Sequence, residues 1–411
     1  MKNSFFISLI LLITLQNAGA DWFQQNSGIN LYMNDVKFLN ANTGYVGADG
    51  LLLKTTDGGN NWNQIIVGSS ATLIAAIFIF DADNIILASY GSKMFRTNDG
   101  CATFDSAFSG IYGPGAIFFP SRDTGYSNSK YDGVFKTVNG GMNWVNIYPP
   151  VSQLQGGVHF INNQTGFVTG GTNTFSILKT TTGGSTWDLQ NLGTNTYIFD
   201  IQFVNNSTGY CVGQSNTNRN PIYKTTDLGI SWVLQYEALS GYNSVSFVNE
   251  STGYASCFHS YLSKTTNGGM NWITYTNPVL FTQVNKIDFA DPETGYMITA
   301  NGRILKTTDG GTVGVQQINE LVPENFSLQQ NYPNPFNPNT IIGFQLAVKG
   351  NVKLIVYDIL GNEVIELVDE KKSPGSYETE FIGNNLPSGI YFYKLQIDNN
   401  FVDTKRMVLL K

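Results

Sequence analysis

Three aspartates form the arrangement in this sequence nearest to a catalytic one. Asp35, Asp200 and Asp288 lie one or three residues before a phenylalanine that recurs along the chain (Phe38, Phe203, Phe289). On equivalent strands around an axis they would face a central pocket, and two carboxylates roughly 5–10 Å apart across a cleft can hydrolyse a glycosidic bond. The same positions also serve to solvate a channel mouth, so spacing alone assigns no catalytic residue. Two histidines are too few for a His-rich metal centre, and no metal or cofactor is expected. His159 reads as a strand residue beside Phe160, and His259 as a turn residue able to touch a ligand. Neither has a Ser or Cys at the spacing of a nucleophile and its base. Cys101 falls in a turn, whereas Cys211 and Cys257 fall in adjacent units. A disulfide between those two needs a Cα separation of roughly 4.4–6.8 Å, and three inert thiols is the preferred expectation.

The elements that would position these residues are repeats. Seven segments align between residues 35 and 311, anchored by Phe38, Phe78, Phe118, Phe160, Phe203, Phe247 and Phe289, at intervals near 42 residues. A Thr-Gly-aromatic step follows the anchor in six of them, as in Thr43-Gly44-Tyr45 and Thr165-Gly166-Phe167. A basic residue then precedes a Gly-rich turn: Lys54, Arg96, Lys136, Lys179, Lys224, Lys264 and Lys306. Each unit holds four short alternating runs without helical period, which predicts four strands per unit and an all-β, seven-bladed β-propeller. The seventh repeat stops at Asp309-Gly310-Gly311 with no Trp strand, and the strand it lacks stands near the start as residues 21–25, containing Trp22. The N-terminal segment is therefore expected to complete the last blade and leave no open edge between first and last blades.

The element at residues 54–62, KTTDGGNNW, resembles the Asp-box of sialidase-type propellers. Asp57, Asp227 and Asp309 occupy its acidic position, and Trp62, Trp144, Trp187, Trp232 and Trp272 its aromatic one. Asn139 and Asn267 replace the acid elsewhere, so the side chain is expected to hold a turn through its oxygen rather than to catalyse. The whole unit, over residues 21–316, is similar to the propellers of photosystem II assembly and stability factors. That resemblance implies the fold and leaves function open.

Ligands are expected on one face. The first-to-second and third-to-fourth turns carry the uniform motifs, and the opposite face receives the variable turns and the blade connections. Those bring Tyr112, Tyr148, Tyr197, Arg219, Tyr242, His259 and Phe281 forward as candidate ligand contacts. A sialidase on this scaffold would use an arginine cluster, but the propeller has only Arg96, Arg122, Arg219 and Arg303. The favoured reading is a binding module for a protein or glycan. The alternatives are an extracellular glycoside hydrolase of xyloglucanase or sialidase type and an assembly factor for an envelope complex.

Both ends of the chain read as addresses. Lys2, the apolar run 5–15 and the small residues Ala18-Gly19-Ala20 predict a signal peptide over residues 1–20; the run is too short to span a bilayer and no other transmembrane segment is expected. After the propeller (21–316), a Pro/Asn-rich linker (317–340) and a small immunoglobulin-like β-sandwich (341–411) are predicted. Residues 332–338 (YPNPFNP), Val356-Tyr357-Asp358, residues 386–391 (LPSGIY) and 404–411 (TKRMVLLK) are similar to the C-terminal sorting domain of type IX secretion cargo. That resemblance implies the secretion machinery as partner, export beyond the outer membrane of a Gram-negative bacterium, and frequent removal of the tail. Composition agrees. Of 411 residues 53 are charged (23 basic, 30 acidic) and 54 are aromatic (6 Trp, 21 Tyr, 27 Phe). A net charge of −7 with no basic cluster gives a nucleic-acid partner no footprint.

Overall fold

Alternating sequences punctuated by Gly and Asx turns fold into strands throughout the computed structural model. It describes residues 22–147, 154, 156–172, 175–192, 196–215, 220–238, 241–258, 261–276, 283–311, 316–319, 323, 325–383, 386–398 and 401–410. The predicted signal peptide lies outside them. The first compact unit runs to residue 312, and the second begins at 313.

The first unit is a ring of seven four-stranded antiparallel sheets. Blades 1 to 6 span residues 33–65, 74–112, 114–146, 158–190, 196–238 and 242–276. Blade 7 combines Val284–Phe289, Gly295–Thr299 and Ile304–Thr307 with Phe23–Gln25. The register of this closing pair is Phe23↔Lys306, Gln24↔Leu305 and Gln25↔Ile304. The innermost strands touch in cyclic order, and that of blade 7 packs on that of blade 1. Closure by the N-terminal segment is thus as the missing strand predicted.

The repeat motif is a clamp between blades. The tyrosine of Thr-Gly-Tyr lies flat on the anchor phenylalanine of the next blade, at 3.5 Å for Tyr296 on Phe38 and 3.6–3.7 Å for Tyr126 on Phe160, Tyr210 on Phe247 and Tyr254 on Phe289. A tryptophan meets the phenylalanine edge-on from its own blade, as Trp62 does Phe38 and Trp272 does Phe247. Trp22 does the same to Phe289 at 5.8 Å and 88°, so the closing strand brings its own clamp residue. The lysine paired with each tyrosine, as Lys54 is with Tyr45, donates to a glycine carbonyl in the next blade's turn: Lys54 to Gly100, Lys136 to Gly183, Lys224 to Gly268, Lys264 to Gly310 and Lys306 to Gly58, at 2.6–3.0 Å. The glycine between Thr and Tyr is required because a Cβ at Gly44 would collide with the Phe38 ring. In the turn itself Asp57 Oδ1 accepts the Thr55 hydroxyl and the Asn61 N–H, while Gly59 takes φ +85°. Asp227 and Asn139 repeat the arrangement, which explains why acid and amide interchange.

Two anchors shift by one residue. In blade 3 the ring against Trp144 and Gly125 is Phe119, not Phe118. In blade 2 Ile79, not Phe78, pairs with Ile85, the residue in the place of the glycine, and packs with Tyr45. A one-residue slip on a strand moves a side chain to the opposite face, and Phe78 and Phe118 accordingly face the channel.

The second unit stacks two four-stranded sheets around a core that includes Phe344, Val356, Tyr393 and Leu409. Within the segment 317–340, expected as a linker, described residues take part in the second unit. Gln316–Asn319 pairs with Gly375–Ile382, Ser327–Leu328 pairs with Asn339–Leu346, and Phe336 is buried at 2% exposure in the core. Prolines there break helix but leave carbonyls and apolar rings free to dock on the sheet edge.

Candidate functional site

The inner strands build a channel from two rings of side chains. Counting back from the clamp position, the third residue is Asp35, Ala76, Ala116, Gly157, Asp200, Ser244 and Lys286 around the ring. The first is Lys37, Phe78, Phe118, His159, Gln202, Ser246 and Asp288. Alternate strand residues face one way, and all of these but Ser244 line a cavity of about 280 Å³. A register shift at or just before the ring that runs from Asp35 to Lys286 occurs in six of the seven inner strands, as between Met33 and Asp35 and between Ile198 and Asp200.

The polar members fasten one blade to the next. Asp35 accepts the Val36 N–H at 3.0 Å and that of Ile77, in blade 2, at 2.8 Å. Asp200 accepts the Val245 N–H at 3.1 Å and the Ser244 hydroxyl at 3.0 Å, both from blade 6. Asp288 accepts the Phe38 N–H at 2.7 Å across the closure, and Gln202 and Ser246 accept the N–H of Phe247 and Phe289. The three aspartates are therefore brought into one channel, as their spacing suggested, but each carboxylate is engaged as a backbone clasp. Lys286 pairs with Asp200 at 3.0 Å, and Lys37 stands 3.7 Å from Asp288.

Electrostatics follow from enclosure. Burial raises the Asp35 carboxyl above its usual range, against the lowering pull of Lys37 and Lys286. Burial also lifts Asp288 to about 6, with Lys37 opposing. At Lys37 burial disfavours the charge, yet Asp288, Asp35 and Asp200 together outweigh it and raise the ammonium's pKa. The Lys37 side chain keeps 43% of its surface in the solvent of the channel, so these interactions are screened. Burial lowers His159 to about 4, leaving a neutral imidazole at neutral pH, tilted against Phe118 at 4.6 Å.

The variable face carries an arc of tyrosines over blades 1 to 3. Turn and connection are tied together there by Asp49 N–H to Tyr32 carbonyl, Tyr90 to Leu73 and Lys130 to Gly113 bonds. Tyr32, Tyr90, Tyr112 and Tyr131 are 44, 43, 54 and 64% exposed. Burial, and to a lesser degree Tyr32, raises the Tyr90 pKa, Gly91 pairs with Tyr112, and the Tyr131 ring covers Gly113. Sequence reasoning pointed to Tyr112 alone of these four. The others stand at the ends of short connections or in tight turns, where an exposed Tyr beside Gly was the available signal.

The remaining candidates divide. Tyr197 is half-buried and stacks at 5.8 Å on Phe199, which meets Phe258 edge-on. Tyr242 is fully buried rather than on the ligand face, because it begins a strand opposite Cys257 and its hydroxyl lies 2.6 Å from Ser263. Tyr148, Arg219, His259 and Phe281 lie outside the described residues. Cys101, Cys211 and Cys257 are buried free thiols. Asp57, Asp227 and Asp309 accept threonine hydroxyls in their turns, and Trp62, Trp144, Trp232 and Trp272 pack on clamp rings. Trp187 packs in the core between blades 3 and 4. Among the described residues no cluster of His, Cys, Asp and Glu could hold a metal ion, and no helix is long and apolar enough to cross a membrane.

In the second unit, motif pieces far apart in sequence are zipped together. The Phe336 N–H donates to the Val408 carbonyl, Leu410 returns a bond to Phe336, and Asn334 Oδ1 accepts the Val408 N–H at 2.9 Å. Residues 330–410 match the family model described as Secretion system C-terminal sorting domain. Residues 186–331 match that of Photosynthesis system II assembly factor YCF48. The chain joins a YCF48-like propeller to a type IX sorting domain. No curated protein matches it. Among solved structures, YCF48 bound to D1 peptide is similar at 16% identity and TM-score 0.57, over 70% of this chain and 94% of that one. The GH74 enzyme of Niastella koreensis is similar at 15% and 0.58, over 80% of this chain and 59% of that one. PorZ of Porphyromonas gingivalis is similar at 14% and 0.54, over 94% of this chain and 60% of that one. These likenesses carry the propeller fold, and the sorting domain carries the secretion route.

Proposed function

We propose that this protein is an exported binding module, displayed on the cell surface or released, whose propeller holds a protein or glycan ligand on its variable face. The tyrosine arc is the observation that carries the reading. Four exposed rings on a rigid frame bury large area at low entropic cost, and their hydroxyls supply hydrogen bonds. The sorting domain is read by the type IX machinery of a Gram-negative bacterium after residues 1–20 direct inner-membrane export, and Asp21 begins the mature chain. YCF48 solved with a D1 peptide is a precedent for a peptide ligand on this fold. The carboxylate clasps favour binding over glycoside hydrolysis, since Asp35 and Asp200 spend both oxygens on protein donors.

Glycan and protein arrays probed with the mature chain and with its Asp35→Ala, Asp200→Ala and Asp288→Ala variants test this. Ligand retained unchanged on the array is the expected result. Ligand turned over by the mature chain, with turnover lost in Asp200→Ala, would replace this reading by the hydrolase.

A further inference from the structure

The channel has two unlike walls. Blades 2 to 4 contribute a continuous aromatic wall, with Phe78 and Phe118 5.5 Å apart and Phe118 and His159 4.6 Å apart, all three rings half-buried and lining the cavity. Blades 5 to 7 and blade 1 contribute a polar wall that mixes donors and acceptors: Asp35, Lys37, Asp200, Gln202, Ser246, Lys286 and Asp288.

Some of this wall has capacity to spare. Lys37 lies 3.7 Å from Asp288, too far for a hydrogen bond, so its ammonium donors are open to the channel. Asp288 Oδ2 accepts the Phe38 N–H, and Oδ1 is left with only that distant ammonium. The Ser246 hydroxyl accepts the Phe289 N–H, and no acceptor for its proton exists among the described residues. His159 likewise has no hydrogen-bond partner among them, and its neutral ring offers one donor and one acceptor.

We infer that this channel binds the ring of a neutral pyranose sugar, at a site separate from the tyrosine arc. The apolar face of the sugar would stack on the Phe118 ring, with Phe78 edge-on to it at 69° and His159 tilted beside it at 43°, and hydroxyls would meet Lys37, Asp288 and Ser246. The charge pattern selects this class. An anion drawn to the lysines meets Asp200 and Asp288, a cation drawn to the aspartates meets Lys37 and Lys286, and a hydroxyl satisfies both because it donates and accepts. The cavity, at about 280 Å³, lies just below the usual range for ligand sites and suits a single ring.

The test is saturation-transfer NMR and calorimetry on the full mature chain with D-glucose, D-galactose, D-mannose, D-xylose, L-rhamnose and L-fucose, against glucuronate and glucosamine. At least one neutral sugar should bind, with roughly millimolar affinity for a ligand of this size. Phe118→Ala and Lys37→Met should each weaken it by roughly tenfold, the loss of about one good contact, while Tyr112→Ala leaves it unchanged. Lys37→Met keeps the test alive should Phe118→Ala fail to fold, since the lysine is partly exposed and makes no hydrogen bond. Binding of no neutral sugar, preference for the charged sugars, or binding indifferent to both channel variants would overturn the inference. Loss in Tyr112→Ala alone would overturn it too and would leave the variable-face reading standing.

Discussion

Replacing Trp22 with alanine tests ring closure at the one clamp whose two halves come from opposite ends of the propeller sequence. Trp22 is 4% exposed and packs edge-on against Phe289, in a core with Tyr254, Leu262 and Val284. Truncating a buried Trp to Ala costs about 3–5 kcal/mol, the lost transfer energy plus the cavity. A domain of this size loses roughly 2 °C of Tm per kcal/mol, so a fall of roughly 6–10 °C is expected. Calorimetry on the mature chain should show it for the propeller transition, beside a Trp144→Ala control. Trp144 makes the corresponding contact with Phe119 at 5.8 Å inside a blade that the chain builds contiguously. Equal falls in the two variants mean that the closing blade is built like the others. A Trp22→Ala protein melting with the wild type, while Trp144→Ala melts early, would refute closure by the N-terminal strand.

Other consequences follow from the same contacts. Tyr210→Phe removes a 2.8 Å bond to the Gly268 carbonyl and should cost about 1 kcal/mol by urea denaturation, whereas Phe167→Tyr, at the one clamp where a phenylalanine replaces the tyrosine, should be neutral or stabilising. Stability should respond to acid through opposed groups, His159 on one side and the buried carboxyls on the other. His159, lowered to about 4, contributes stability present above pH 6.5 and lost as pH falls toward 4; Asp288, raised to about 6, contributes stability present below 3.8 and lost as pH rises through 6. Urea midpoints across that window should therefore rise with pH in Asp35→Asn/Asp288→Asn, which removes both carboxyls that burial raises, and fall with pH in His159→Phe, and parallel profiles would contradict the assignment. In the sorting domain, Phe336→Ser places a polar group at a 2%-exposed core position and should abolish export, read as full-length protein retained in the periplasm.

Most of the fold was legible because a period repeated seven times averages away local ambiguity. Where one repeat offered two candidates it did not: Phe78-Ile79-Phe80 and Phe118-Phe119 each allow two registers. The constant six-residue step from clamp residue to glycine, as from Phe38 to Gly44 and Phe203 to Gly209, separates them in blade 3, and in blade 2, where Ile85 replaces the glycine, only the pairing of Ile79 with Ile85 does. That slip matters for function, since it hid the aromatic wall of the channel. The aspartates could be placed on the axis from spacing, but their backbone clasps depend on where the neighbouring blade's N–H groups point, which no local pattern encodes. Tyr242 looked like a loop residue because Ser240-Gly241 precedes it, yet pairing with Cys257 turns it inward. In the tail, Glu363–Lys372 gave no strand signal, because an edge strand carries charges on its solvent side.

The claim that most needs measurement is that the variable face is the binding face. Once an array identifies a ligand, its affinity for the mature chain should be compared with that for Tyr112→Ala/Tyr131→Ala and for Ile230→Ala, an exposed apolar residue in a turn of the uniform face. At least roughly a tenfold loss is expected for the tyrosine pair, from two aromatic anchors, and no change for Ile230→Ala. Undiminished binding in the tyrosine variant, or loss confined to Ile230→Ala, would contradict that claim.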